Sequence, residues 1–202
     1  EMARGRLDDA AKYYEAILSV NPKIVPANLA LAQIQMARGN GRDASKYVRA
    51  VLEEDPKLPG ALVVLGHVAV NERRYEDAIR HFQPAIEAQP NEASAHLGIA
   101  YAYWRKGQRA QAIRAYRRAI ELAPNDPRPQ NNLAWLLADE RGFEAEALQL
   151  AQRAVSASPR NGWFVDTLGW VYYKQGQLTE AEQQFRLAVN LLPNEPMAQY
   201  HL

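Results

Sequence analysis

Residues 162–193 read GWFVDTLGWVYYKQGQLTEAEQQFRLAVNLLP, and their pattern of small residues, glycine and proline recurs along the chain. The final proline belongs to a series with successive spacings of 34, 34, 34, 35 and 34 residues, namely Pro22, Pro56, Pro90, Pro124, Pro159 and Pro193. A small residue stands twelve positions before each of these prolines, at Ala10, Ala44, Ala78, Ala112, Ala147 and Ala181. A period of this length with small residues at fixed places is typical of a helix-turn-helix solenoid.

The residues between the prolines predict two helices in each repeat. A glycine stands five positions before the alanine in most repeats, where it allows a tight turn, and the proline ends the second helix. In residues 110–124 the apolar side chains recur with helical spacing, at Ala112, Ile113, Tyr116, Ala119 and Ile120. No strand-like alternation competes with this pattern. The sequence therefore predicts an all-α fold built from antiparallel helix pairs.

This pattern resembles the tetratricopeptide repeat (TPR) family, whose motif is W-x2-L-G-x2-Y followed by A, F, A and P. In residues 162–193 the matching residues are Leu168, Gly169, Tyr172, Ala181, Phe185, Ala188 and Pro193, while Val165 replaces the first aromatic residue. The related pentatricopeptide repeats, which bind RNA, have a 35-residue period. The spacing of 34 and the Leu-Gly and Pro positions favour the TPR family, which implies a right-handed superhelical solenoid.

The period predicts one array over residues 1–202. Residues 1–24 form a partial repeat that holds a second helix, and residues 196–202 begin a further repeat. Full repeats are expected at 25–58, 59–92, 93–126, 127–161 and 162–195. Because both ends fall within a repeat, we expect the chain to be part of a longer array, with ends that favour end-to-end self-association.

The composition argues against an enzyme. There is no cysteine, which excludes disulfides and cysteine-based metal, redox or catalytic sites. The four histidines do not have metal-ligand spacing, and no phosphate-binding loop or nucleophile elbow is present. We therefore expect no catalytic residue, no metal, no cofactor and no small-molecule substrate. No apolar run is long enough to predict a transmembrane helix.

The TPR resemblance implies a concave groove lined by the first helices, at positions 2, 5, 6, 9, 12 and 13 of each repeat. All four tryptophans fall at these positions. Aromatic anchors among polar side chains are what a peptide-binding groove needs. The predicted groove residues are Tyr101, Trp104, Arg105, Asn131, Asn132, Trp135, Trp163, Asp166, Trp170, Tyr173, Lys174 and Tyr200.

The alternative for these aromatic residues is packing between neighbouring first helices, as expected for the consensus residues Tyr103 and Tyr172. The carboxylate clamp of chaperone-binding TPR proteins is not predicted. Its places are held by Leu97, Tyr101, Asn132, Trp163 and Thr167, of which only Asn132 agrees.

The leading hypothesis is a non-enzymatic scaffold that binds a peptide segment of a partner protein in the groove. The second is a structural spacer or self-assembling solenoid that acts through its ends. The third is nucleic-acid binding through a basic run at residues 105–118, although the net charge of +1 gives no overall attraction to nucleic acid. The run comprises Arg105, Lys106, Arg109, Arg114, Arg117 and Arg118.

The segments NNLAWLLA, DTLGWVYYKQG and AQYHL are similar to blocks in bacterial envelope TPR proteins, including lipoproteins associated with exosortase and exopolysaccharide systems. This resemblance covers about the last 75 residues. It implies a bacterial scaffold, with the periplasm or envelope favoured over the cytoplasm.

Overall fold

The computed structural model describes residues 2–201, and the side chains of residues 6–196 and 198–201. All regular elements in this part of the chain are α-helices, which confirms the predicted fold class. The helices are α1 (Met2–Val20), α2 (Val25–Ala37), α3 (Gly41–Glu54), α4 (Pro59–Asn71), α5 (Tyr75–Ala88), α6 (Ala93–Arg105), α7 (Arg109–Leu122), α8 (Pro127–Leu137), α9 (Glu144–Ala157), α10 (Gly162–Lys174), α11 (Leu178–Leu191) and α12 (Pro196–His201).

Local sequence explains where the first helix of each pair begins. Helices α4 and α8 start at a proline, whose fixed φ suits the first helical position. The side chains of Glu92, Asp126 and Asn161 each accept a hydrogen bond from a backbone N–H in the first turn of α6, α8 and α10. These caps satisfy N–H groups that have no partner within the helix.

The turns between the two helices of a pair contain a residue with a left-handed backbone conformation. It is a glycine in four turns, at Gly39, Gly107, Gly142 and Gly176. In the turn between α4 and α5 it is Arg73, with φ of 60°. A side chain raises the energy of this conformation, so Arg73 occupies a strained position that the other turns give to glycine.

The chain divides into two compact units, Glu1–Gln108 and Arg109–Leu202. In the first unit, α2 packs against α1, α3 and α4, and α4 packs against α3, α5 and α6. Its buried residues are mostly small, for example Ala32, Ala44 and Ala78, and small side chains permit close helix packing. The ring of Phe82 is fully buried beside Gly66 and Gly98.

In the second unit, α10 packs against α8, α9, α11 and α12. Leu133, Leu137 and Val165 are at most 1% exposed and form part of its core. The ring of Phe185 lies directly against Gly169, the consensus glycine of the repeat. The hydrophobic residues that define the repeat pattern therefore lie inside the unit.

The predicted repeat boundaries stay a prediction, with which the helix bounds can be compared. Predicted repeats 25–58, 59–92, 127–161 and 162–195 each contain one first and one second helix. Predicted repeat 93–126 contains α6 and α7, which fall in different compact units. The single array over residues 1–202 stays a prediction.

In the described chain, none of the helices combines the length and apolar character needed to cross a bilayer.

Candidate functional site

In the first unit, α6 carries a cluster of three predicted groove residues, Tyr101, Trp104 and Arg105. The rings of Tyr101 and Trp104 meet edge-on with centroids 5.3 Å apart. Arg105 Nη1 donates a hydrogen bond of 3.0 Å to the Tyr101 hydroxyl, and its guanidinium carbon lies 5.7 Å from the Trp104 ring centroid. The structure thus brings these three residues together.

Tyr75, at the start of α5, completes this aromatic cluster. Its ring lies 5.0 Å from the guanidinium carbon of Arg105 and 6.4 Å from the Tyr101 ring. An arginine over aromatic faces is stabilised by the ring quadrupoles. The hydrogen bond to Tyr101 also raises the pKa of Arg105 above its usual value, so the guanidinium remains charged.

A shallow cavity of about 340 Å³ opens beside this cluster. It is lined by Val70, Asn71, Arg73, Tyr75, Tyr101 and Arg105. Two arginines, two tyrosines and an asparagine therefore surround one concave surface. The groove predicted from the sequence does not include Tyr75 and Arg73, although Arg73 stands where the period places glycine.

The carboxylates near this cavity are paired with other basic residues. Glu72 pairs with Arg74 at 2.5 Å, and Glu76 pairs with Lys106. Asp77 pairs with Arg74 and Arg80. Hydrogen bonds from these basic groups lower the pKa of Glu76 and of Asp77.

In the second unit, Trp163, Asp166, Trp170 and Tyr173 follow one face of α10, because their spacings of three, four and three residues match the helical period. The two ends of this row are open to solvent, with Trp163 45% and Tyr173 51% exposed. The rings of Trp170 and Tyr173 stack with centroids 5.5 Å apart.

Lys174, the last residue of α10, forms an ion pair with Asp139. Its Nζ lies 2.7 Å from Asp139 Oδ1 and 5.1 Å from the centroid of the Trp170 ring. The lysine is therefore held beside the aromatic pair, with its charge partly matched by a carboxylate.

The middle of the row on α10 is covered by α12. His201 Nδ1 lies 2.9 Å from Oδ1 and 3.0 Å from Oδ2 of Asp166, so the ring nitrogen donates to the carboxylate. The His201 ring also lies 5.3 Å from Trp170 and 5.4 Å from Phe185. Asp166 and Trp170 thus contribute to packing between α10 and α12.

Burial governs the charge of Asp166, which is only 7% exposed. Desolvation raises the pKa of this carboxyl above its ordinary value, and the hydrogen bond and charge of His201 oppose the rise.

The predicted groove residues of α8 are buried or half-buried. Asn131 is 8% exposed, and its Nδ2 lies 3.4 Å from Asn132 Oδ1. Asn131 Oδ1 has no hydrogen-bond partner among the described residues. Trp135 is half-buried on the same helix, and Tyr200 of α12 is 83% exposed.

The basic run of residues 105–118 is largely paired with carboxylates. Four of its six members form ion pairs, namely Lys106 with Glu76, Arg109 with Glu140, Arg117 with Glu146 and Arg118 with Glu121. Arg105 is engaged with the aromatic cluster. Most of the positive charge of this run is therefore already neutralised by carboxylates of the protein and is not free to bind the phosphates of a nucleic acid.

Clusters of titratable residues do not indicate a metal site. Among the described residues, His, Asp and Glu side chains do not gather in a group of three or more able to hold a metal ion. The buried pair of Asp166 and His201 supplies two such groups and is enclosed by aromatic rings.

The successive helix pairs and the aromatic surfaces of the first helices define an α-helical repeat protein whose repeat is a pair of helices joined by a turn. Family models described as tetratricopeptide repeat match residues 1–62, 63–127, 97–162 and 166–191. The chain therefore belongs to the tetratricopeptide repeat family. The TPR fold is a scaffold for protein–protein interaction.

Solved structures share this fold. Pseudomonas aeruginosa pilF matches with a TM-score of 0.80 at 19% identity, covering 98% of this chain and 90% of that chain. YrrB, described as "a TPR protein with an unusual peptide-binding site", matches with a TM-score of 0.68 at 20% identity, covering 94% and 97%. MamA matches with a TM-score of 0.66 at 21% identity, covering 81% and 95%. At these identities the likeness shows the fold alone.

A curated relative is the "TPR repeat-containing protein PA4667" of Pseudomonas aeruginosa. It is 34% identical over 68 residues, which are 34% of this chain. The match spans 12% of that protein's length.

Proposed function

We propose that the chain is a non-enzymatic scaffold that binds a peptide segment of a partner protein on the surface of its first helices. The observation that carries this proposal is the exposure of large aromatic side chains on α10 and α12, at Trp163, Tyr173 and Tyr200. Exposed aromatic residues of this size are costly in water and commonly mark interaction surfaces.

The surroundings of these side chains also fit a peptide. Lys174, which pairs with Asp139, lies over the ring of Trp170, and that ring stacks on Tyr173, so a charged group flanks an apolar surface. An aromatic anchor contributes affinity, and the neighbouring polar groups fix the orientation of the peptide backbone. The bacterial periplasm or envelope remains the predicted location.

The test is selection of random peptides by the full chain, followed by affinity measurement on variants. The double variant Trp163→Ser/Tyr173→Ser removes exposed aromatic rings from the first helix α10. Its matched control is Leu178→Ser/Leu187→Ser, which removes two exposed apolar side chains from the second helix α11. All four residues are exposed, so both variants should keep the fold, and circular dichroism and urea unfolding check this.

We expect the selected peptides to bind the α10 variant at least about tenfold more weakly, as removal of an interface anchor requires, and the α11 variant with nearly unchanged affinity. Equal affinity for the α10 variant and the original chain would contradict the proposal. If no peptide is selected, the scaffold must act through another surface, as in the spacer hypothesis.

Nucleic-acid binding is not proposed, because of the pairing within the basic run. Lys106, Arg109, Arg117 and Arg118 each contact a carboxylate of this chain. A nucleic acid would have to break these pairs or bind beside them, at a cost in electrostatic free energy.

A further inference from the structure

The dipeptide Asn-Gly occurs twice in the chain, at Asn40-Gly41 and at Asn161-Gly162. In each pair the asparagine is the N-cap residue of a helix, α3 for the first pair and α10 for the second. Asparagine is thermolabile, because the backbone nitrogen of the next residue can attack its side-chain amide. Glycine in the next position has no side chain to hinder this attack. The same reactive pair therefore stands in two different surroundings.

The reaction at such a pair consumes only water. The backbone nitrogen of the glycine loses its proton to a base and bonds to Cγ of the asparagine, and the side-chain amide leaves as ammonia. The product is a five-membered succinimide ring. Water then adds to one of the two ring carbonyls and opens the ring, which gives an aspartyl or an isoaspartyl residue.

The surroundings of Asn40 leave it free to react. Asn40 is exposed, and among the described residues its side chain accepts no hydrogen bond from the first turn of α3. Its Nδ2 donates one hydrogen bond of 3.1 Å, to Gln35 Oε1. A Cβ added at Gly39 would meet no atom within 4 Å, and one added at Gly41 would make contacts of 3.6 Å. The backbone on both sides of Asn40 therefore has room to move towards the ring geometry.

The surroundings of Asn161 oppose the same reaction. Its Oδ1 accepts a hydrogen bond of 3.1 Å from the backbone N–H of Trp163, so the amide is held as a helix cap. Gly162 is buried, and a Cβ added there would clash with the side chain of Leu192. Ring closure would break the cap and press the backbone against Leu192. Burial of Gly162 also limits the access of base to its nitrogen.

We propose that Asn40 is a site of spontaneous deamidation in the folded chain, whereas the fold protects Asn161. The modification is a reaction with water and does not depend on peptide binding. It falls in the turn between α2 and α3, where the backbone carbonyl of Asn40 accepts hydrogen bonds from the N–H groups of Asp43 and Ala44.

The two products change the start of α3 in different ways. The aspartyl product keeps the main chain and places a negative charge at the helix N-terminus, where the helix dipole favours it. The isoaspartyl product routes the main chain through the former side chain. The carbonyl that accepts from Asp43 and Ala44 then becomes a free carboxylate, so the first turn of α3 loses its backbone acceptor. This helix carries the buried residues Ala44 and Val48 of the first unit.

The experiment is incubation of the full chain at neutral and mildly alkaline pH, sampled over time. Peptide mapping by mass spectrometry measures deamidation at each asparagine, and chromatography separates aspartyl from isoaspartyl peptides. The same chain unfolded in guanidinium chloride gives the reactivity of both pairs without the fold. The matched variant is Gly41→Ala, which adds a hindering methyl group beside Asn40 at ordinary contact distances.

We expect Asn40 to deamidate at least about fivefold faster than Asn161 in the folded chain, since the hydrogen bond of an N-cap alone is worth about this factor. In guanidinium chloride the two rates should become similar. The rate at Asn40 should rise with pH, because the attacking nitrogen must lose its proton. The Gly41→Ala variant should lose most of the modification at Asn40 over the same period.

Three results would overturn the proposal. One is an equal rate at Asn40 and Asn161 in the folded chain. Another is an unmodified Asn40 in the folded chain over a period in which the unfolded chain reacts. The third is an unchanged rate at Asn40 in the Gly41→Ala variant, which would show that the reaction does not pass through attack by an unhindered glycine nitrogen.

Discussion

A Cβ atom at Gly66 would stand 2.5 Å from Cε1 of Phe82, closer than real carbon contacts allow. The Phe82 ring is fully buried between α4 and α6, and Gly98 approaches the same ring from α6. The ring therefore occupies the space that two missing side chains leave. This contact explains why the repeat pattern requires small residues at these helix positions.

Gly66→Ala is expected to destabilise the chain. The buried ring cannot swing into solvent, and overpacking of a core costs about 1–3 kcal/mol, more than alanine gains by its higher helix propensity of up to about 1 kcal/mol. We expect a net loss of about 1–2 kcal/mol in the free energy of unfolding, measured by urea denaturation.

Gly41→Ala is the matched control, since the nearest atoms would lie 3.6 Å from the added Cβ. This is ordinary van der Waals contact, so the free energy of unfolding should stay within about 0.5 kcal/mol of the original. Equal stabilities of the Gly66 and Gly41 variants would show that Phe82 can repack.

Arg73→Gly should stabilise the first unit. It removes the left-handed strain of the turn between α4 and α5, which is worth about 1–2 kcal/mol, partly offset by the greater freedom of glycine in the unfolded chain. A net gain of about 1 kcal/mol in urea unfolding is expected.

The reciprocal change is Gly107→Ala, where φ is 75° and the added Cβ would meet no atom within 4 Å. Only backbone strain acts at this position, so the variant should lose about 1 kcal/mol. A less stable Arg73→Gly variant would mean that the arginine side chain makes contacts worth more than the strain.

Asp166→Asn should change how stability depends on pH. Because the folded-state pKa of Asp166 is raised, its contribution to stability is fully present below the unfolded pKa and is lost as pH rises through the folded pKa. Asparagine does not titrate. The original chain should therefore gain stability relative to the variant as pH falls from neutral towards the ordinary pKa of Asp, about 4.

The measurement is the difference in free energy of unfolding between the two proteins, followed by urea denaturation across this pH range. A difference that moves in the opposite direction would show that the ion pair with His201 outweighs burial. His201→Gln, compared in the same way, reports the contribution of the imidazole to the docking of α12 on α10.

The helices could be predicted from sequence because their signals are local. The helix bounds follow from prolines, turn glycines and apolar spacing within each repeat, and α2 to α5 begin and end inside the predicted repeats. The contacts of Tyr101, Trp104 and Arg105 also follow from helical spacing within α6.

Contacts between different helices could not be predicted in this way. The bond from His201 to Asp166 joins residues 35 positions apart and depends on how α12 packs against α10. The approach of Tyr75 to Arg105 depends similarly on the packing of α5 against α6. The periodic pattern shows which helix face carries a residue, but not which neighbour covers that face.

The most direct test of peptide binding by the first helices is NMR of the tryptophan indole N–H groups. The chain has four tryptophans, and all lie on first helices, at Trp104, Trp135, Trp163 and Trp170. On titration with a selected peptide, we expect the signal of the exposed Trp163 to shift in proportion to occupancy. Saturation by the peptide with all four indole signals unmoved would contradict the account.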